Sequence, residues 1–479
     1  MYYNNYIKLG VVNLKTYALV LAAGKGTRMK SNIPKCAFPI LDKPIIEYVV
    51  ERFEKSKYVD ETILIVGYKK EYFYEHLSNR VIFAEQIEQK GTGHAVKCAI
   101  HHLEDKEGQT FIVPGDVPLL TPELTDEIIE KHLKEGNDLT VCTMILDDPL
   151  QYGRIIKDSK GQVLKIVEHK NATKKERLVK EVNTSIYVVK NGLLLEYINK
   201  IQPNELTEEY YLTDIVELMS ANYKVGAFVI EDTYQTAGIN DNKQASAIEE
   251  YLKEKINNKL MLNGVTMESP QTIRVSVDAV IEPGVTIKQN TIINGKSIIK
   301  KNSIIGPNTT IMNSKIDEEV IVEDSVIANS TIGEKSYVGP FAHIRDLSVI
   351  GKNVRVGNFT EVKNSTIGDD SFASHHAYIG DTKAGKRVNF GCGSVTVNFD
   401  GKEKYQTVIG NDVFIGCNVN LIAPIKIDDD VIIAAGSTIT EDVKKGSLAI
   451  ARNRQEVKED FYYKHFNKIK NENNKWFYS

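Results

Sequence analysis

Ile409-Gly-Asn-Asp-Val-Phe-Ile415-Gly-Cys-Asn-Val-Asn-Leu421-Ile-Ala-Pro-Ile-Lys-Ile427 sets one branched aliphatic at every sixth position, and Ile433 and Ile439 continue it. The same spacing runs through Ile281, Ile287, Ile293, Ile299, Ile305 and Ile311, and again from Ile332 through Val338, Ile344, Ile350, Val356 and Val362. Six matches neither the helical period of 3.6 nor the strand period of 2. It fits a chain that turns a corner every six residues and points one aliphatic inward per flat face. Three faces close a triangular coil of about eighteen residues, and coils stack at the inter-strand spacing of roughly 4.8 Å. Small residues follow the inward position, as at Gly410 and Gly416, where a corner leaves little room. A sandwich of short strands predicts alternation and irregular spacing instead. The second half therefore reads as a parallel β-helix over 268–455.

The remaining chain divides around it. Residues 1–16 read as an extension, 17–242 as a separate α/β domain, 243–267 as a linker helix with helical apolar spacing, and 456–479 as a polar tail. The 479 residues are 42% hydrophobic and 26% charged, with a formal net charge of −4. That balance argues against a nucleic-acid or membrane-surface binder. No apolar run reaches the length of a membrane span, and the first residues lack a signal-peptide core. Five scattered cysteines without a CxxC pair point to a reducing cytoplasm and away from a disulfide or zinc framework.

The α/β domain opens on a buried-strand pattern, Tyr17-Ala-Leu-Val-Leu-Ala-Ala-Gly24, running into Lys25-Gly26-Thr27-Arg28. A strand followed by a glycine-rich loop bares backbone N–H groups to phosphate oxygens. Further strands alternate with helical stretches, as in a doubly wound (Rossmann-like) sheet, whose ligands sit at the carboxyl ends of the strands. Asp116 stands at such an end, where a carboxylate is able to hold Mg²⁺. Gly91 and Thr92 leave room for a base to stack, and the Gln86 amide is placed to read its edge.

Leu21-Ala-Ala-Gly-Lys-Gly-Thr-Arg-Met29 with Pro34-Lys35 resembles the signature of sugar-1-phosphate nucleotidyltransferases. The segments Gln151-Tyr-Gly153-Arg154, Val167-Glu168, Val182-Asn183, Glu209-Tyr-Tyr-Leu-Thr-Asp214 and Gly238-Ile239-Asn240 follow in that family's order. In the β-helix, Arg345 and Lys363 are eighteen apart, one full coil, so the two cations stack. Like charges stack unfavourably without an anion, and a sugar phosphate is the natural one. The stretches Gly339–Arg345, Gly357–Lys363, His375–Asp381, Val388-Asn389, Asn398–Lys404 and Ala449–Arg452 resemble the acetyltransferase domain of the bifunctional N-acetylglucosamine-1-phosphate uridyltransferase/glucosamine-1-phosphate N-acetyltransferase family. The resemblance spans about 17 to 455.

That resemblance implies a left-handed β-helix, a homotrimer and synthesis of UDP-N-acetylglucosamine for peptidoglycan and envelope glycans. It implies that Leu21, Ala22, Ala23, Gly24, Arg28, Lys35, Gln86, Gly91 and Thr92 bind UTP. Gly153, Glu168, Asn183 and Asn240 then bind N-acetylglucosamine 1-phosphate, and Asp116 with Asn240 holds Mg²⁺; spacing leaves Asn242 open as the second ligand. In the other half, Arg345, Lys363, Tyr378 and Asn389 bind glucosamine 1-phosphate, with Lys404 beside them. His375 is the implied general base, with His376 the bland alternative; histidine is the side chain suited to that task near neutrality. Acetyl-CoA falls to Cys392, Asn398, Phe399, Cys417, Ala435 and Arg452. Phe399 replaces a common Tyr and Cys417 a common Ser. A monofunctional nucleotidyltransferase would need neither the basic stack nor His375. A non-catalytic relative would have lost Arg28, Lys35 or Asp116.

Overall fold

A computed structural model describes residues 14–205 and 207–465. Most of the expected extension (1–13) and much of the expected tail (466–479) lie outside the described residues. The chain divides into two compact units, 1–258 and 259–479.

The first unit is built on a sheet of seven strands: β1 Thr16–Leu21, β2 Val59–Val66, β3 Ile82–Glu85, β4 Gln109–Pro114, β5 Leu139–Ile145, β6 Glu181–Lys190 and β7 Val225–Val229. Their order is β7-β5-β6-β4-β1-β2-β3. Strand β1 lies parallel to β2 and β4, with Leu21 opposite Pro114, so the two strands end side by side. Leu19, Val20, Ile63, Leu64, Phe111 and Val113 are fully buried, as their unbroken apolar runs require when helices cover both faces. The sheet is mixed: β6 runs antiparallel to both β4 and β5. An antiparallel ribbon, Arg154–Lys157 with Val163–Val167, leaves β6 at Val182, and the residues at its open end, Tyr152 and Glu168, line the site.

Helix Pro122–Glu135 covers part of this sheet. The Thr121 hydroxyl accepts from Leu124 N–H at its start, and left-handed Gly136 ends it. His132 on this helix is 1% exposed, its Nδ1 2.9 Å from the Thr140 hydroxyl. Burial pushes its pKa down from 6.5 to about 4. The neutral ring therefore stabilises the fold fully above pH 6.5. That contribution, up to about 3 kcal/mol, is lost as pH falls toward 4, because the unfolded chain protonates first. Urea midpoints should fall across this window in the wild type and fall less in His132→Asn.

The second unit is a left-handed parallel β-helix. Its three faces hold eleven, ten and nine short strands among the described residues. The six-residue positions point inward: Ile287, Ile293, Ile299, Ile305, Ile311, Ile344 and Val362 are 0% exposed. Each contributes about 1.5–3 kcal/mol of burial. Corner serines close the backbone: Ser348 Oγ donates to the Arg345 carbonyl at 2.6 Å, and Ser365 Oγ to the Lys363 carbonyl at 2.7 Å. Coil length varies. Ile281 faces Ile299, but Ile316 faces Ile332 and Thr382 faces Thr407. The long step to Thr407 holds a loop in which Phe399 and Lys404 bridge antiparallel. The linking helix runs Asn242–Leu262, with Ala245 and Ile248 packed into the core of the first unit. Thr266–Met267 already pairs with Thr286–Ile287, so the first coil starts inside the span read as linker.

Candidate functional site

A cavity of about 880 Å³ opens at the carboxyl ends of β1, β3 and β4. Its floor is Leu21, Ala22, Ala23 and Gly24 leaving β1. Ala22 N–H donates to the Ile65 carbonyl and Gly115 N–H to the Leu21 carbonyl, which fixes the loop to both neighbouring strands. Asp116, two residues past β4, forms an ion pair with Lys35. Asn240 Oδ1 lies 3.3 Å from the same Lys35 Nζ and accepts from Arg28 Nη2 at 2.8 Å. Ile239 N–H donates to the Asp116 carbonyl, which holds the distant segment in place. Asn242 is instead the first residue of a helix.

Gln86 follows β3 and is buried. Its Nε2 donates to the Gly91 carbonyl at 3.0 Å, while its backbone N–H donates to the Val66 carbonyl. Gly91 has φ +95°, and a Cβ there would stand 2.6 Å from the Tyr210 carbonyl oxygen. Only glycine fits that approach. The Thr92 hydroxyl accepts from Leu212 N–H at 3.1 Å, so segment 209–212 braces the loop. Glu168 lines the opposite wall; burial, then the Asp214 charge, raises its pKa, against a lowering bond from Thr213.

Gly153 and Asn183 stand behind this wall. A Cβ on Gly153 would lie 3.5 Å from Glu168 Oε1 and 3.7 Å from Asn183 Cβ. The Asn183 side chain is already bonded: Nδ2 donates to the Tyr187 hydroxyl, and Oδ1 accepts from Ser185 N–H. Tyr152 and Tyr187 also line the cavity, and sequence reading had not singled them out. Tyr152 sits beside Gly153 inside a quoted segment, but Tyr187 on β6 carries no local signal.

A second cluster lies on the β-helix. Arg345 faces Lys363 on the next rung, and Lys363 faces Gly380. Contrary to the expectation from spacing, this stack does not lack an anion. Arg345 Nε donates to Glu361 at 2.9 Å and Nη1 to Asp346 at 2.6 Å. Glu361 precedes Lys363 by two, so both project from one side of the strand. Lys363 and Lys404 stand together without an ion pair among the described residues, with the Asp381 charge acting on Lys404 from nearby. Contact with the Lys363 amine, then their repulsion, lowers the Lys404 pKa from the ordinary lysine value. A Cβ on Gly380 would sit 2.6 Å from the Tyr378 hydroxyl and 2.8 Å from Asn398 Nδ2, so these groups meet above it. Asn398 donates to Asp381, which also accepts from Asn364. Phe399 is 55% exposed on the protruding loop.

His375 ends a strand whose register sets it opposite Asn358. Its imidazole has no hydrogen-bond partner among the described residues. Phe372 faces Asn389, Asn389 faces Phe414, and Phe414 faces Ile432. Carried three residues on, this register stacks His375, Cys392, Cys417 and Ala435 along one corner. The N–H groups of Cys392, Cys417 and Ala435 make no hydrogen bond among the described residues, and so form a ladder of outward donors. Arg452 reaches the top of this ladder, its Cδ 3.9 Å from where a Cβ on Gly436 would stand. Asn398 and Phe399 leave the following corner instead.

A nucleotide-sized cavity at a glycine loop, joined in one chain to a β-helix with a basic cluster, defines a nucleotidyltransferase fused to a hexapeptide-repeat transferase. Family models agree: a MobA-like NTP transferase domain matches 18–172, a GMPPB C-terminal domain 275–376, and bacterial transferase hexapeptide repeats 406–441. The "Bifunctional protein GlmU" of Acholeplasma laidlawii is 52% identical over 94% of this chain and 97% of its own length. Those of an Exiguobacterium species and of Acetivibrio thermocellus are 45% and 43% identical, over 94% and 93% of this chain and 99% and 97% of their own lengths. The chain belongs to the bifunctional GlmU family. It is an enzyme with uridyltransferase and acetyltransferase activities that together make UDP-N-acetylglucosamine.

Proposed function

We propose that the β-helix transfers acetyl from acetyl-CoA to glucosamine 1-phosphate at His375, and that the cavity of the first unit then joins the product to UTP. His375 takes the amine proton as the nitrogen attacks the thioester carbonyl, and CoA leaves as the thiol. Lys363, Lys404, Arg345 and Tyr378 hold the sugar phosphate, with Asn389 beside them. The donor ladder of Cys392, Cys417 and Ala435 receives the acetyl-CoA chain, and Arg452 its phosphates. In the uridyl step a sugar-phosphate oxygen attacks the α-phosphorus in line, and pyrophosphate departs. Arg28, Lys35 and the Gly24 backbone hold the triphosphate, Gln86 and Thr92 the base, and Glu168 the sugar.

The observation that carries this reading is the meeting of Asp116, Asn240, Lys35 and Arg28 at the ends of β1 and β4. It also fits Mg²⁺. Two hard oxygens already converge on one cation, the Lys35 ammonium. No cluster of three or more acidic, His or Cys side chains stands ready among the described residues. Mg²⁺ bound there would complete its shell with water and phosphate oxygens, its usual mode, and offset charge on the transferring phosphate.

The reading includes a homotrimer through the β-helices. Phe341 and Phe359 stack with ring centroids 5.4 Å apart while 57% and 62% exposed, apolar surface that an assembly would cover. It also includes a cytoplasmic setting, which suits five free cysteines. Among the described residues no helix is long and apolar enough to cross a membrane.

The test follows CoA and pyrophosphate separately in purified protein given glucosamine 1-phosphate, acetyl-CoA, UTP and Mg²⁺. Lys363→Ala and Lys404→Ala should each raise the KM for glucosamine 1-phosphate about ten- to a hundredfold, the worth of one bond to a charged group. The KM for acetyl-CoA should hold within a fewfold. Pyrophosphate release from preformed N-acetylglucosamine 1-phosphate should be unchanged. Equal loss of affinity for both acetyl-transfer substrates would remove the lysine pair from the phosphate site.

A further inference from the structure

The corner that carries the donor ladder repeats one turn. Left-handed residues stand at Gly393 (φ +75°), Asn418 (φ +53°) and Gly436 (φ +73°). The residues before them are Cys392, Cys417 and Ala435. Asn418 N–H donates to the Cys392 carbonyl at 2.8 Å, and Gly436 N–H to the Cys417 carbonyl at 2.8 Å. Two cysteines therefore occupy the same turn position on successive rungs. Rungs stand about 4.8 Å apart. That falls within the Cα separation a disulfide spans, roughly 4.4–6.8 Å. The repeated conformation sends both Cα–Cβ bonds to the same side, so the Cβ atoms also stand about 4.8 Å apart and must close by a few tenths of an ångström to reach the roughly 3.5–4.5 Å of a disulfide.

These two thiols differ from the other three. Cys392 and Cys417 are exposed, Cys36 and Cys142 are buried, and Cys98 is half-buried. Burial pushes the Cys36 thiol up to about 12, and raises Cys142 and Cys98 as well. A small disulfide reaches exposed thiols and not buried ones, so exchange chemistry is directed to Cys392 and Cys417.

We propose that Cys392 and Cys417 form a dithiol site that small-molecule disulfides convert to an intramolecular disulfide, closing the corner to the acyl donor. The closing effect rests on the reading of this corner as the acetyl-CoA ladder. One thiolate attacks the small disulfide, forms a mixed disulfide and expels one small thiolate. The neighbouring thiolate then attacks the protein-bound sulfur and expels the second. Two electrons pass to the small disulfide, and the two thiol protons go to solvent. The new bond draws both side chains together over the outward N–H groups of Cys392 and Cys417, the donors an acyl chain would use.

The experiment treats the full chain with oxidised glutathione, maps the peptides by mass, and measures CoA and pyrophosphate release. A Cys392–Cys417 linked peptide is expected, two hydrogens lighter and free of glutathione. Acetyl transfer should fall at least about tenfold, since even a 1 Å misplacement costs about a hundredfold. Uridyl transfer should not change, and dithiothreitol should restore acetyl transfer. Saturating acetyl-CoA should slow the linkage. Cys392→Ser and Cys417→Ser, each compared with its own untreated sample, should retain glutathione on the remaining thiol and form no link. Absence of the linked peptide in the wild type overturns the proposal. A link that acetyl-CoA does not slow, and that spares acetyl transfer, instead takes acetyl-CoA off this corner and overturns the closing effect with it.

Discussion

Asp116→Asn is expected to lower pyrophosphate release by about 10²–10³-fold, the loss typical when one preorganised electrostatic contact to developing charge is removed. The substitution keeps the shape of the side chain, and Ile239 N–H bonds the backbone carbonyl, so the loop should hold. What disappears is the charge. The Lys35 ammonium loses its ion-pair partner and is left with neutral oxygens only, Asn240 Oδ1 among them. Mg²⁺ bound here would lose its one charged protein ligand. The Mg²⁺ dependence of the residual rate should therefore move to higher concentration, and EDTA should stop wild-type pyrophosphate release. CoA release from glucosamine 1-phosphate should be untouched by either treatment. A loss below about tenfold with an unchanged Mg²⁺ requirement would sink the metal reading. Equal loss of both products would point to unfolding rather than to a missing ligand.

The β-helix was legible because its inward residue faces only other inward residues. One aliphatic per face suffices, and Ile287, Ile305 and Val322 stack simply by recurring. The breaks between the three runs were legible only afterwards. Coils shorten where Ile316 meets Ile332, and lengthen where Thr382 meets Thr407. A period records the faces and not the length of each corner. The glycine loop, Asp116 and Gln86 were readable because each follows its own strand directly. Strand direction was not: the runs in β4 and β6 are equally apolar, yet they pair antiparallel. Only a contact distinguishes them. Asn240 reaches Lys35 across 205 positions, which spacing cannot measure. A spacing of eighteen misleads at Arg345 for a related reason: it aligns the cations but does not show Glu361 and Asp346, the carboxylates that neutralise Arg345.

His375→Ala should lower CoA release by about 10²–10⁴-fold, the range for a positioned general base. The amine of glucosamine 1-phosphate must shed a proton as it becomes an amide nitrogen, and the group that takes it must lie at the end of the acyl-donor ladder. In the proposed reading His375 is that group. It shares its corner with Cys392, and its ring is not tied to another side chain among the described residues. The next strand brings Tyr378 beside Lys363 and Lys404. His376 has an equally unbonded ring among the described residues and differs in its place on the corner. It is the left-handed corner residue, with φ +38°, its N–H bonded to the Asn358 carbonyl and its carbonyl to Gly393 N–H. Asparagine tolerates that conformation, so His376→Asn should alter CoA release by no more than about threefold. The loss in His375→Ala should appear in kcat, with the KM for both substrates near the wild-type values, because a base that acts on the attacking amine stabilises the transition state and not the bound sugar. Uridyl transfer should be unchanged in both variants. If His376→Asn is the slow variant, the base belongs one residue further along the corner. If neither is slow, the proton leaves through solvent, and His375 has no part in the reaction.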